Sequence, residues 1–237
     1  MTTLREHLEA SGQPEFLALY ERIYPRTYDE LVLRLYADLD ACIGQMEADA
    51  KDFMFAHEDV MNRELVRLLQ RTGHQASHDH DEGGHVDVRV VSRDGKYSWL
   101  AEAKILRDTG YLDAGMDQLL NRYTRGTPGH KKGGFVVYVQ LDRAAQRFSR
   151  WREFHEGQAD KYEDLESRSC SERPGLAFFS SFVLPRLGTG VDKHEIRHVA
   201  VSLYRHESSS AKEVKGKTIA EAKARPRSRP TKNLQGS

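Results

Sequence analysis

Asp87, Glu102 and Lys104 are the residues of this chain best suited to act together. Asp87 sits in Gly84-His85-Val86-Asp87-Val88-Arg89-Val90-Val91, and an Asp94-Gly95 turn follows. Glu102 and Lys104 sit in Tyr97-Ser98-Trp99-Leu100-Ala101-Glu102-Ala103-Lys104-Ile105. Strand side chains alternate faces, so Glu102 and Lys104, two apart, point the same way. Asp-Gly between two strand-like runs is a hairpin signal, and pairing would lay Asp87 beside them. Two carboxylates converging on one point form a hard oxygen site for Mg²⁺ or Mn²⁺. A lysine alongside can orient a water or hold a phosphate. Such a set is built to hydrolyse a phosphodiester.

The surrounding pattern supplies the elements that must position these groups. Residues 1–54 read as an N-terminal helical region. Pro14 stands near a helix start, and Thr27-Tyr28-Asp29-Glu30 matches a capping box opening a longer helix. In that helix Val32, Tyr36, Leu39, Ile43 and Met46 form an apolar stripe, for packing within the domain or for a dimer. A second helix is expected over 55–73, closed by Gly73. A short strand near 74–80, the hairpin, a helix over 113–124 and a buried strand over 134–140 follow. Beyond them lie a charged helix around 144–156 and two strands, 176–184 and 195–204. The order predicts a mixed α/β domain over 55–210.

Asp87, Glu102 and Lys104, with the preceding Glu58-Asp59-Val60-Met61-Asn62-Arg63-Glu64-Leu65-Val66-Arg67-Leu68-Leu69, resemble the motif of the PD-(D/E)xK nuclease superfamily. That superfamily includes restriction endonucleases, Holliday-junction resolvases and phage-defence effectors. The resemblance covers roughly residues 55–140 and rests on the order of helix, strand, hairpin and E-x-K strand. It implies a restriction-endonuclease-like core, a mixed central sheet flanked by helices. It implies metal-dependent hydrolysis of nucleic acid, DNA favoured, with Mg²⁺ as the ion and Mn²⁺ as substitute. Asp87, Glu102 and the carbonyl of Ala103 would ligate metal, and Lys104 would position or deprotonate water. Such enzymes often act as dimers or beside a sensor protein, in defence or repair.

Family members place a metal-site glutamate on the preceding helix. In that alignment it falls on Asn62, a departure from the pattern. Glu58 lies one turn earlier on the same face and is the preferred replacement, with Glu64, turned well away around the helix, second. Gln118 and Tyr123 resemble a Gln-x3-Tyr element with altered spacing. Around them Arg122, Arg125, Lys131 and Lys132 form a basic cluster suited to phosphate contacts beside the site. The departure at Asn62 also favours an alternative, a nuclease fold that binds or assembles without cutting.

The main competing constellation is His74, His78, His80 and His85 with Asp79, Asp81 and Glu82, which could take Zn²⁺. Its spacing matches no defined zinc motif. Cys42 and Cys170, the only cysteines, have no CxxC partner. With 38% hydrophobic and 30% charged residues in 237, a soluble domain with a sizeable core is expected. No membrane segment or signal peptide is evident, so a cytoplasmic protein is expected. Net charge is zero, yet residues 211–237 hold eight Lys/Arg against two Glu, net +6, leaving −6 on residues 1–210. That basic tail cannot build a core and reads as a flexible arm for phosphates or a solubilising extension.

Overall fold

The computed structural model describes residues 3–78, 80–81, 85–122, 131–183 and 193–205, with the backbone alone at His80, Asp81, His85 and Arg122. Helices α1 (Leu4–Ala10), α2 (Pro14–Ile23), α3 (Tyr28–Ala48), α4 (Ala50–Phe53) and α5 (Glu58–Arg71) come first. Short strands β1 (Gln75–Ser77), β2 (His80–Asp81), β3 (His85–Val86) and β4 (Val88–Val91) follow, then the longer β5 (Ser98–Ile105). The chain continues through α6 (Thr109–Arg122), β6 (Lys132–Val139), α7 (Ala144–Glu156), β7 (Glu163–Ser169), β8 (Ala177–Val183) and β9 (His194–Ser202).

Seven strands form one mixed sheet in the order β1-β4-β5-β6-β9-β8-β7, and β2 pairs with β3 separately. The β4–β5 pair is the expected antiparallel hairpin, turned through Gly95 at φ +71°. Parallel strands need a crossover, and α6 supplies it between β5 and β6. β9 joins β6 in parallel on its other side. Helices cover both faces, so the middle strands carry apolar residues toward each. One core layer packs Val32, Leu35, Leu39 and Ile43 of α3 and Met61, Leu65 and Leu69 of α5 on Val90, Trp99, Val136 and Val199. The other packs Leu112, Met116, Leu119, Phe148 and Trp151 on Leu100, Phe135, Val137 and Ile196. The fold is therefore α/β. The indole of Trp99 lies across β6, where a Cβ on Gly134 would stand 2.4 Å from its Cζ2.

Three local details differ from expectation. The Thr27 hydroxyl caps α3 by accepting from the Glu30 amide at 3.1 Å. The reciprocal half of the box is replaced, because the Glu30 carboxylate accepts from the Arg26 amide and from Arg5 instead. Strand β7 had no apolar signal to announce it: it lies at the sheet edge and is largely exposed. In the α6–α7 layer the buried rings of His155 and His198 meet at 4.7 Å between centroids. His198 Nδ1 accepts from Trp151 Nε1 at 3.2 Å, and its Nε2 is 2.8 Å from the Ser180 hydroxyl. Burial pushes His155 down to about 4 and His198 well below the usual histidine range, so both are neutral. No described helix is long and apolar enough to cross a membrane.

Candidate functional site

The site begins where β4 ends. β4 pairs with β5 only through Val88 and Ala101, so β5 runs on through residues 102–105 without it. Successive strand residues offer their N–H groups to opposite sides. The Leu106 N–H goes to the Tyr138 carbonyl at 2.9 Å, toward β6. Those of Ala103 and Ile105 therefore face the side that β4 has vacated. Buried backbone donors need acceptors, and here two carboxylates provide them. Asp87 Oδ2 accepts from Ala103 N at 2.9 Å, and Glu58 Oε2 accepts from Ile105 N at 2.8 Å. Glu58 is the first residue of α5, so the helix start and the strand end are joined through one side chain.

Glu102 and Lys104 point to the α6 side of β5, as alternation requires. Glu102 is 1% exposed and Lys104 9%. The ammonium of Lys104 lies 2.7 Å from Glu102 Oε1, 3.3 Å from Glu58 Oε1 and 3.9 Å from Asp87 Oδ2. Burial opposes the lysine charge. Glu102, then Asp87 and Glu58, outweigh that opposition and hold the ammonium above its ordinary pKa. Lys104 is consequently protonated near neutral pH, which corrects the expectation that it could deprotonate water: it can orient and neutralise, but holds its proton. Its stem passes beneath α6 only because residue 115 is glycine. A Cβ there would stand 2.9 Å from Lys104 Cγ, 3.2 Å from its Cε and 3.2 Å from Phe135 Cε2. Nothing in the sequence pattern singled out Gly115.

The expected residues divide cleanly. Glu58, Asp87, Glu102 and Lys104 meet, with the Ala103 backbone among them. Glu64 does not: it pairs with Arg67 at 2.6 Å on the exposed side of α5. Asn62 is fully buried one turn behind Glu58, accepting from the Tyr138 hydroxyl at 2.9 Å. Gln118 is exposed on α6 and touches none of the four groups. Lys131 and Lys132, expected beside the site, stand instead at the opposite end of the parallel pair. Lys104 is in register with Val137, and Lys132 begins β6, about 17 Å back along the strand. There the Lys132 ammonium pairs with Asp29 at 2.9 Å. Arg125 lies outside the described residues, as do Tyr123 and residues 211–237, and the Arg122 side chain is not described.

The histidine constellation does not assemble as a zinc site from its described members. His74 is buried and bonded through Nε2 to Asp38 at 2.9 Å. Burial opposes ionisation of Asp38, but bonds from Arg22 and His74 prevail and bring its carboxyl down to about 2. His78 turns elsewhere, its Nδ1 2.8 Å from the Asp87 carbonyl. That contact places an imidazole at the backbone of a site residue.

Among the described residues no three His, Cys, Asp or Glu side chains stand as a ready cage for a metal. Three carboxylates do converge on one cation, and that cation is the lysine ammonium. The four side chains carry three negative charges and one positive. Such a hard-oxygen donor set suits a divalent ion, provided Lys104 yields part of its hold on Glu102. No family model, curated protein or solved structure matches this chain.

Proposed function

We propose that the chain is a metal-dependent phosphodiester hydrolase acting on nucleic acid, DNA favoured, with a restriction-endonuclease-like arrangement of helix, hairpin and sheet. One observation carries the reading: Glu58, Asp87 and Glu102, from three separate elements, direct their oxygens at one ammonium. A purely structural lysine is satisfied by one buried carboxylate, since each further charge taken from water is costly. Glu58, Asp87 and Glu102, with the Ala103 carbonyl, would hold Mg²⁺ or Mn²⁺. When bound, the ion would polarise the phosphate and lower the pKa of a water.

The chain's own groups do the remainder. Glu58 and Asp87 each spend an oxygen on a β5 amide, so both carboxylates are oriented before any ligand arrives. Preorganised charge of this kind acts without reorganising at the moment of reaction. Lys104, held protonated, offsets negative charge that builds on the phosphate oxygens. A cytoplasmic defence or repair role fits this activity, alone or beside a sensor partner.

The test is degradation of plasmid and single-stranded DNA with Mg²⁺ or Mn²⁺. Cutting is expected in the wild type, with a loss of at least about a hundredfold in Asp87→Asn and Glu58→Gln and little change in Glu64→Gln. Cutting that survives chelator, or survives Asp87→Asn, overturns the proposal. The alternative is a binding subunit in which Lys104 permanently fills the carboxylate site. It is favoured by the 2.7 Å Lys104–Glu102 contact and by Asn62 being sequestered on Tyr138. Nucleic-acid binding without cutting in every variant supports that alternative.

A further inference from the structure

A second cavity, of about 240 Å³, opens at the end of the sheet where β5 and β6 finish. Arg107, Arg147 and Arg150 line it, with Asp108, and Leu106 and Trp151 contribute apolar wall. The three arginines come from two distant stretches of chain, the turn after β5 and the first turns of α7. Asp108 is the one acidic group in the lining, and its carboxylate accepts from the Tyr111 amide at 2.8 Å, committed to the start of α6. Arg147 is steadied by Asp142, through the carbonyl at 2.8 Å and the carboxylate at 3.1 Å. Among the described residues Arg107 and Arg150 have no carboxylate partner, and Arg107 lies over the Tyr111 ring at 4.7 Å. The lining carries three positive charges and one negative.

We infer that this cavity binds a phosphate group of the nucleic-acid strand whose neighbouring phosphodiester occupies the carboxylate–lysine site. The inference rests on the nuclease reading and deepens it by assigning how the strand is held. Guanidinium groups present forked donors matched to phosphate oxygens, and three around one hollow favour an anion of more than one charge. Position supplies the second argument. Arg107 follows Lys104 by three residues, roughly 10 Å of extended chain. The Lys104 side chain and the cavity both lie on the side of the sheet covered by α6 and α7. Ligands of α/β sheets gather beyond the carboxyl ends of parallel strands, where this cavity lies. The phosphate belongs either to the strand interior or to its end.

Binding of a fluorescein-labelled single-stranded oligonucleotide, with calcium replacing magnesium, tests this directly over a salt series. Arg107→Gln with Arg150→Gln is compared with wild type and with Arg152→Gln, an exposed arginine of α7 paired with Glu156. The double variant is expected to bind about tenfold more weakly, its salt slope falling by about 1.4 at roughly 0.7 per lost phosphate contact. Arg152→Gln should behave as wild type. A loss confined to terminally phosphorylated oligonucleotide assigns the cavity to a strand end; an equal loss with and without that phosphate assigns it to the interior. Unchanged affinity and slope in the double variant, or no binding by the wild type, overturns the inference. If the arginine-dependent binding holds but Mg²⁺ or Mn²⁺ yields no cutting, the hydrolase reading fails and the phosphate cavity stands.

Discussion

Replacing Lys104 by methionine keeps the length of the side chain and removes the charge that three carboxylates share. Glu102 would be left 2% exposed at its side chain, with Asp87 at 18% and Glu58 at 23% facing it. Removing one partner of a buried ion pair costs about 3–5 kcal/mol. Partial solvation of Glu58 and Asp87 argues for the lower end, about 3 kcal/mol. For a chain of this size that corresponds to a Tm lower by roughly 6–12 °C. If the carboxylates form a cation site, a divalent ion should replace the missing ammonium. At a hundred times its Kd the ion would restore about 2.7 kcal/mol, most of the loss. Differential scanning fluorimetry with Mg²⁺, Mn²⁺ and chelator reads both effects. The variant is expected to melt early, to recover with metal, and to respond more strongly than wild type, whose own lysine competes for the oxygens. A variant as stable as wild type, or one indifferent to metal, would falsify the claim that these groups are arranged around a cation.

Two further outcomes follow from packing and protonation. Gly115→Ala gains about 1 kcal/mol of helix propensity, while its methyl presses on the Lys104 stem and Phe135 at about 1–3 kcal/mol. Tm should therefore change little while cutting falls between about tenfold and a hundredfold through displacement of the lysine; equal activity would show that the clearance is incidental. His155 is neutral in the fold, with its pKa at about 4, whereas the unfolded chain protonates it near about 6.5. Its stabilising contribution is thus complete above about pH 6.5 and lost as pH falls toward 4, worth about 3 kcal/mol in all. Urea unfolding near pH 7 and pH 4.5 should show the loss in wild type and a smaller one in His155→Phe. An identical acid loss in the two proteins would remove His155 as its source.

The hairpin and its chemistry were legible because strand alternation and an Asp-Gly turn are local signals, and both survive into the structure. Glu58 was legible through helical spacing alone. What escaped lacks a local signature. β7 is an edge strand of polar residues, Glu163 to Ser169, with only one face to cover and no apolar rhythm. Gly115 matters through a contact with residue 104 that no spacing rule reports. The arginines at 107, 147 and 150 are brought together by the crossover through α6 and β6. Lys132 misled for the converse reason: nearness in sequence to α6 suggested the site, but β6 enters the sheet from its far end.

The strand order has a consequence for how the chain is made. β6 has β5 on one side and β9 on the other, and β9 is the last described strand to leave the ribosome. Until it emerges, β6 presents an unpaired apolar edge and β8 has no bridge to the rest of the sheet. Contacts between segments so distant along the chain form slowly, so assembly awaits the end of synthesis. A truncation before His194 would not merely shorten the sheet but divide it.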